Sequence, residues 1–600
     1  MCVPTVMLLL AAVASFFALS ARADDLPAPA ERAHIFSPYE LETIGEVLKS
    51  ERASRDPEPE GKIVEGIDVA ALDVFEPRDP VPAWVNLLHA TSRREVIRRE
   101  LLLEEGRPYR QLLVDDTIRN LRRLPQLSVV LVVATKGTAS DRVRVLVITK
   151  DVWSLRMSWN AVATAGGIER LDLQPTEENL LGTHQLLRAY YALEPSAQTF
   201  GFGTTTPRIG TSRVALVTLA EAMVNRATGS PEGSYGSVVA GVPLYSTLGD
   251  WAWSSYAGWV DVVTRRYVNA QPSSYNDHAT GLSTPYQYRS REFTADYSLT
   301  RSFGRETKHD ITVDFGMDRQ IYRSEAGGAD SQTVRDFVAT EVPTSNTRVG
   351  PSVLYHGYSS RYVRLIDFDT LALQEDFRLG HDVVARFYPS VRALGSSRNV
   401  LGFYGAAQMT VAVRDGLFRA FVQSAVESDP DRISDAYVAP GAHFVSPTVA
   451  GLGRVVFDAE FLYRFRNYLN QQILLGGGDQ LRGYPTSVFV GEDFVSANLE
   501  FRTRPVEILT CQFALVGFLD SGDAFQGIDS LTPFQSVGVG MRALFPQLDR
   551  TVFRVDVGVP FERHIDSTGS AIPPFGFVAT FGQAFDTPSV DPLPTLPTGH

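Results

Sequence analysis

Strict alternation of apolar and polar residues is the main pattern of the chain from about residue 153 onward. Between Glu292 and Thr300, every second residue is apolar and the residues between them are polar or charged. A period of two predicts a β-strand with one apolar and one polar face. Gly, Pro, Asn, Asp and Ser bound these segments, which is typical of turns. The same period recurs in three later segments, 310–318, 454–465 and 553–559.

The alternation alone fits either a soluble β-protein or a closed barrel in a membrane. One strand carries Arg454, Asp458, Glu460 and Arg464 on its polar face, which suits the polar lumen of a barrel. At roughly 10 residues per strand plus loops, residues 153–585 fit an even number of strands near sixteen, with fourteen or eighteen also open. We therefore predict a transmembrane antiparallel β-barrel over this region.

The end of this region has the pattern of a barrel-closing strand. Outer-membrane barrels typically end on a strand with a terminal aromatic residue. Here the predicted strand carries four phenylalanines, Phe575, Phe577, Phe581 and Phe585. A proline-rich tail, 586–600, follows it.

A small α+β unit precedes the barrel at residues 61–152. An apolar stretch begins it, and two amphipathic helices follow at Ser92–Glu105 and Tyr109–Leu124, each ended by a glycine or a proline. Two β-branched runs joined by a polar turn then predict a hairpin, at Leu127–Ala134 and Val143–Thr149. The order strand, helix, helix, strand, strand predicts a sheet with two helices on one face.

The N-terminus has the pattern of a secretion signal. Val6–Leu19 is apolar, and the small-x-small site Ser20–Ala23 follows it, so residues 1–23 are predicted to be a signal peptide. The lack of Lys or Arg in Met1–Thr5 argues against this. Residues 24–60 contain several prolines and one helical candidate, and we interpret them as a linker. No later apolar run reaches the roughly 18 residues of a membrane-spanning helix.

Composition narrows the function classes. A hydrophobic share of 44% and a charged share of 21% are typical of folded protein. The net charge of −13 and the lack of a basic block make nucleic acid an unsuitable partner. Cys511 is the single cysteine outside the predicted leader, so no intrachain disulfide is expected.

No catalytic, metal or cofactor motif is evident, and we predict that the protein is not an enzyme. Gly476–Gly478 lacks the Lys-Ser/Thr of a phosphate-binding loop. Asp520–Asp523 starts like a calcium loop but lacks the later ligands. The histidines are scattered, and no nucleophile elbow occurs.

Three motifs in order resemble the BamA/TamA superfamily of outer-membrane assembly barrels, also called the bacterial surface antigen family. They are Gly476–Tyr484, Asn498–Phe501 and Phe518–Gly522. The first is similar to the family's lid-loop motif, and the small domain resembles a single polypeptide-transport-associated (POTRA) domain. The lid-loop residues are Gly477, Gly478, Leu481, Arg482, Gly483 and Tyr484.

The resemblance implies contacts inside the barrel. Arg482 is expected to fold into the lumen and pair with Glu500 and Asp520, although a solvated loop charge stays an alternative. The first barrel strand, about Trp153–Ala163, is expected to pair with Phe575–Phe585. Family resemblance also implies that this seam can part.

The function implied is the insertion or translocation of other polypeptides at a bacterial outer membrane. The POTRA-like domain would lie in the periplasm, and it and the seam would bind unfolded or nascent outer-membrane or secreted chains. One POTRA-like domain favours a specialised role. Two alternatives stay open: an export pore of the two-partner-secretion type or a passive channel, and a structural surface barrel.

Overall fold

The computed structural model describes residues 36, 38–75, 81–277, 280–325, 331–478, 480–563 and 572–585. The predicted signal peptide, the linker up to residue 35, Asp479 and the tail 586–600 lie outside these residues.

The N-terminal unit is a three-stranded sheet with helices on both faces. Its elements are α1 (Pro38–Ser50), β1 (Ile63–Leu72), a 3₁₀ helix (Ala83–Leu88), α2 (Arg94–Glu100), α3 (Gln111–Arg122), β2 (Leu127–Lys136) and β3 (Arg142–Asp151). Strand β3 lies between β1, which is parallel to it, and β2, which is antiparallel. Helices α2 and α3 cover one face through Ile97, Ile118 and Leu121.

Helix α1 covers the second face of this sheet. Ile44 and Val47 pack against Leu131, Leu146 and Ile148 from β2 and β3. The sequence places this helix in a linker, 24–60, because a short amphipathic segment between prolines gives no sign of what it packs against. In the structure, burial of its apolar side makes it part of the folded unit.

The strands after Asp151 follow one another around a barrel in chain order. The first half comprises β4 (Leu155–Thr164), β5 (Gly167–Glu177), β6 (Leu186–Leu193), β7 (Ala197–Thr206), β8 (Ala215–Asn225), β9 (Pro231–Val242), β10 (Trp251–Arg265), β15 (Gln287–Gly304), β16 (Thr307–Ser324) and β17 (Asn346–Ser359). The second half comprises β20 (Gly380–Ser390), β21 (Val400–Val413), β22 (Gly416–Ser428), β23 (Ile433–Val445), β24 (Gly453–Asn467), β27 (Asp493–Thr503) with β28 (Val506–Ile508), β29 (Cys511–Phe525), β30 (Phe534–Leu544), β31 (Phe553–Pro560) and β32 (Gly576–Phe581).

Short elements lie in the connections between these strands. Helix α4 (Gln332–Thr340) lies between β16 and β17. The paired short strands are β11 (Tyr267–Val268) with β12 (Gln271–Pro272), β13 (Ser274–Asn276) with β14 (Ser283–Pro285), β18 (Tyr362–Ile366) with β19 (Gln374–Arg378), and β25 (Ile473–Leu475) with β26 (Phe489–Gly491). Three further 3₁₀ turns occupy Leu180–Gly182, Arg392–Leu394 and Ile528–Ser530.

The barrel is closed and antiparallel, and the prediction of a mainly β chain with such a barrel is confirmed. Strands β27 and β28 both pair with β29, and we count them as one strand. Within the described residues the barrel then has twenty strands, so the prediction of about sixteen is wrong. The first six barrel strands are 8 to 12 residues long, close to the length assumed from the sequence. Short connections join them, and the same length of chain therefore holds more strands.

The barrel is apolar on its outside and polar on its inside. On β15, Tyr297 and Leu299 are 53% and 43% exposed, whereas Ser298 and Thr300 are 2% and 5% exposed. A soluble β-protein would bury its apolar faces, so this arrangement excludes that alternative. An apolar outer band around a polar lumen is the arrangement of a barrel whose outer surface faces lipid.

The N-terminal unit lies against one end of the barrel, which we call the domain end; the opposite end is the far end. Arg208, before β8, is ion-paired with Glu100. Asp116 accepts hydrogen bonds from Thr247, before β10. No helix in the described parts of the chain is long and apolar enough to cross a membrane.

Candidate functional site in the barrel lumen

The connection between β24 and β27 enters the lumen from the far end, and we call residues 476–488 the lid loop. Strands β25 and β26 pair at its base. The φ angles of Gly476, Gly477 and Gly483 are 124°, 73° and 101°. Residues with a side chain rarely adopt this region, so the glycines allow the turns. The turns bring Arg482 and Tyr484 inside, where they are 0% and 1% exposed.

Three carboxylates surround the guanidinium of Arg482. Asp520 accepts from Nε at 2.8 Å and from Nη2 at 2.8 Å. This is the bidentate geometry that arginine and carboxylate favour. Glu500 accepts from Nη1 at 2.6 Å, and Asp556 accepts from the same atom at 3.1 Å. The ring centre of Phe518 lies 3.6 Å from the guanidinium carbon. The structure therefore places Arg482 against both residues that the resemblance implied.

Asp556 is a member of this cluster that the sequence analysis missed. It lies on β31, where its apolar neighbours Val555 and Val557 face outward, and so the alternation puts Asp556 in the lumen. The same reasoning would have found it, but no motif singled it out. Gly540 on the neighbouring strand makes room, because a Cβ atom there would lie 1.9 Å from Asp556 Oδ1.

Further arginines balance the carboxylates. Arg542 donates to Asp556 at 2.5 Å, and Arg502 donates to Glu500 at 2.8 Å. The three carboxylates and Arg542 are at most 1% exposed. Charges buried to this extent are tolerated only when they are paired and hydrogen-bonded, so the cluster holds the lid loop as a unit.

The lid-loop backbone touches the last two strands of the barrel directly. A Cβ atom on Gly483 would lie 2.8 Å from the carbonyl carbon of Gly558 on β31. A Cβ atom on Gly576, at the start of β32, would lie 2.9 Å from the Cα of Gly483. These glycines leave no space between the loop and the strands, and the lid loop is therefore packed against one side of the seam.

The seam between β32 and β4 is short. Four residue pairs join the two strands, from Gly576↔Thr164 to Ala579↔Ala161, whereas β15 and β16 are joined by seventeen. The described ladder stops at Ala161, and no pairing joins residues 155–160 of β4 to β32. An unpaired strand edge is a template for another strand.

The chain leaves the barrel wall at Gly582. The sequence predicts a closing strand over Phe575–Phe585, but β32 ends at Phe581 because Gly582 turns the backbone with a φ of 104°. Beyond the turn, Gln583 accepts a hydrogen bond from Arg542 Nε, and the Phe585 ring lies 5.3 Å from the guanidinium carbon of Arg482. Phe585 is thus a contact of the lid-loop arginine.

Apolar contacts on the outside support the seam. The rings of Trp159 on β4 and Phe553 on β31 approach to 5.1 Å, and Phe553 also contacts Phe581 at 5.4 Å. Phe577 is half-buried and Phe575 is exposed. Side-chain packing therefore continues past the point where backbone pairing ends.

A hairpin made of β18 and β19, which we call the mouth hairpin (362–378), crosses the domain end of the lumen. Phe368 and Phe377 pack against Leu417 and Val445 on one side of the barrel. Its tip reaches the other side, where Leu371 and Leu373 of the hairpin pack against Ala514, Leu544 and Val552. The lumen is thus entered by the lid loop from the far end and by the mouth hairpin from the domain end.

The mouth hairpin is attached to the N-terminal unit by ion pairs. Arg122 on α3 donates to Asp376 at 2.6 Å, and Arg364 donates to Asp115 at 3.0 Å. Burial alone would lower the pKa of Arg364, but its carboxylate partners raise it above the usual value. Burial alone would raise the pKa of Asp376, but Arg122 and Arg364 hold it below the usual value. These contacts bind the N-terminal unit to the hairpin.

The mouth hairpin is also joined to the lid-loop cluster. Arg502 donates to the carbonyl oxygen of Phe368 at 3.1 Å and to Glu500, which in turn binds Arg482. Inside the hairpin, the carboxylate of Glu375 accepts from the backbone N–H groups of Phe368 and Asp369. Burial raises the pKa of Glu375 to about 8.

Among the described residues, no group of His, Cys, Asp and Glu side chains is placed to hold a metal ion. The lumen cluster is made of arginines and carboxylates that pair with one another, and such a cluster fixes a loop in place.

Comparison with known proteins gives distant structural likenesses. No protein-family model and no curated protein matches the chain. The chain is similar to BamA from Haemophilus ducreyi lacking POTRA domains 1-3, with 12% identity over 92% of this chain and 95% of that one, at a TM-score of 0.35. It is similar to CdiB from Acinetobacter baumannii (9% identity, 90% and 82% coverage, TM-score 0.43) and to CdiB from Escherichia coli (11%, 91% and 85%, 0.39). Likenesses at these TM-scores do not identify a function.

Proposed function

We propose that this protein assists the insertion or assembly of other polypeptides at a bacterial outer membrane, with the POTRA-like unit in the periplasm. The observation that carries the proposal is the short seam. Four residue pairs hold β32 to β4, and residues 155–160 of β4 have no ladder partner on β32 in the described part of the chain. A client β-segment could pair with that edge through its main chain, which needs no particular client sequence.

The lid loop is the proposed latch of the seam. Arg482 is bound to Asp556 on β31, and Gly483 packs against Gly558 and Gly576 on the two strands that end the barrel. Thr486 in the same loop donates its backbone N–H to Glu169 on β5 at 2.8 Å, so the loop also contacts the other side of the seam. A movement of β32 away from β4 would disturb these contacts. The loop therefore resists opening until a client edge replaces the lost pairing.

Export of a polypeptide through the lumen is the second candidate, and the mouth hairpin favours it. The hairpin crosses the domain end of the lumen and is attached to the POTRA-like unit, the part expected to meet a secreted chain. An exported chain that bound this unit could release the hairpin. A passive channel fits less well, because both ends of the lumen carry an inserted segment.

Locking the seam with a disulfide tests the first candidate. Ala161 and Ala579 are directly opposite each other in register, at a separation that a disulfide can bridge. In a Cys511→Ser background, we would compare Ala161→Cys/Ala579→Cys with Ala442→Cys/Ala459→Cys, an opposed alanine pair between β23 and β24. Each variant would replace the depleted wild type in its native cell, and the outer-membrane proteome would be quantified.

The outcomes separate the candidates. Assembly predicts that several barrel proteins decrease with the seam lock, recover on reduction, and do not change with the control lock. Loss of one secreted protein on depletion, with the other barrels unchanged, and its recovery with the seam-locked variant would favour export through the lumen. Normal levels of all these proteins under a complete seam lock would exclude insertion through the seam.

A further inference from the structure

A group of arginines lies on the outside of the barrel at the far end of β15 and β16. The alternation that turns Tyr297 and Phe315 outward also turns these arginines outward, because the register between the two strands has no shift. Three of the four are exposed and one is half-exposed. We call them the rim arginines: Arg289, Arg291, Arg319 and Arg323.

The rim arginines lie at the far edge of the apolar band of the barrel and just beyond it. On β15 the band runs from Phe303 to Phe293. This stretch is ~33 Å long at the usual rise of a strand, and a tilt of about 35–45° reduces it to about 25 Å of height. At its domain-end edge, Arg301 lies over the ring of Phe303. At its far edge, Phe293 is opposite Trp259. Arg291 is the next outward residue, at the level where lipid headgroups begin.

Nearby carboxylates neutralise only part of this charge. Asp261 accepts from Arg289 at 2.8 Å and from Arg291 at 3.1 Å, and Glu325 accepts from Arg289 at 2.6 Å. The other two rim arginines have no acidic partner among the residues that the structure describes. The outer surface here therefore carries excess positive charge beside lipid.

The register makes this excess charge costly for the protein alone. Arg323 is directly opposite Arg289, and Arg319 is directly opposite Phe293. Like charges in opposed positions of an antiparallel pair destabilise the sheet. An anion bound between the strands would remove this repulsion.

We propose that the rim arginines bind the phosphate groups of an anionic lipid headgroup in the leaflet remote from the POTRA-like unit. Guanidinium groups bind phosphate through paired N–H donors, and the adjacent apolar band contacts the acyl chains of the same lipid. Arg319 and Arg323 are four residues apart on one strand, ~13 Å, so they contact separate phosphates. The inference rests on the barrel lying in a membrane and holds for either function proposed above.

The test measures lipid retained by the purified full-length protein in detergent, using native mass spectrometry. The probes are a bisphosphorylated lipid A, the same lipid after removal of its phosphates, and inorganic phosphate. The variant is Arg319→Gln/Arg323→Gln. Its matched control is Arg305→Gln/Arg414→Gln, which removes two exposed arginines from turns at the domain end. Heat-modifiable migration on gels verifies that each barrel is folded.

The wild type and the control are expected to retain bisphosphorylated lipid A, and the rim variant is expected to bind it at least about tenfold more weakly. Retention of the dephosphorylated lipid at the wild-type level would overturn the proposal, since acyl contacts would then explain the binding. Equal binding by the rim variant would overturn it as well. If inorganic phosphate alone occupied the site and excluded lipid A, the ligand would be free phosphate and the lipid assignment would be wrong.

Discussion

Substitution of Arg482 by alanine is the most direct test of the lumen cluster. The change removes two donors from Asp520 and one shared donor from Glu500 and Asp556, all of which are buried. Glu500 keeps its ion pair with Arg502, and Asp556 keeps its ion pair with Arg542. Asp520 keeps no arginine partner among the described residues. Breaking a buried pair by removing one partner costs about 3–5 kcal/mol, and we expect most of this cost at Asp520.

The loss would be local to the lid loop, because the barrel hydrogen bonds are unchanged. We expect the loop to leave the lumen part of the time, and hydrogen exchange of residues 476–488 measures this. A cost of about 3 kcal/mol corresponds to faster exchange by about two powers of ten. Arg482→Lys keeps the charge but loses the bidentate geometry, so its exchange is expected to lie between that of the wild type and that of Arg482→Ala.

Two controls separate this effect from a general loss of stability. Arg504→Ala removes an exposed arginine close to the end of β27 and is expected to leave exchange in the loop unchanged. Adding Asp520→Ala to Arg482→Ala removes the orphaned carboxylate and is expected to recover part of the lost protection. Wild-type exchange in Arg482→Ala would refute the view that this arginine holds the loop.

Three more predictions concern the seam and the mouth hairpin. Gly576→Val adds a side chain whose Cβ would lie 2.9 Å from the Cα of Gly483 in the lid loop. We expect a lower melting temperature and faster hydrogen exchange in the loop. Wild-type values of both would mean that this packing is unimportant. Replacing residues 367–373 by a short glycine-serine turn removes the hairpin tip, and planar-bilayer recordings are expected to show a larger conductance than the wild type; equal conductance would mean that the tip does not block the lumen. Glu375 lies near Asp369 and Arg550, and burial raises its pKa from 4.5 to about 8. Between these two values the folded hairpin keeps a proton that the unfolded chain has lost. The hairpin is therefore expected to lose stability as the pH rises from the unfolded pKa toward the folded one, which appears as rising conductance, and Glu375→Gln should remove this pH dependence.

Local pattern was sufficient for much of this protein. A period of two fixes both the strand and the face of each residue, and so the sequence alone predicts the all-β region and its polar face. The motif residues Arg482, Glu500 and Asp520 could be named because a known family carries them in the same order. Asp556 lies within the same pattern of alternation, but no motif distinguishes it from the other polar lumen residues.

The tertiary structure decided the features that depend on closure and on distant contacts. The number of strands depends on how much chain each connection uses, which periodicity does not encode, and the estimate of sixteen therefore missed four strands. The packing of α1, the inward turn after Phe581 and the path of the mouth hairpin each depend on partners that are far away in the chain. Such contacts form only when the barrel closes and brings those segments together, because their energy comes from burial against surfaces that no local window contains.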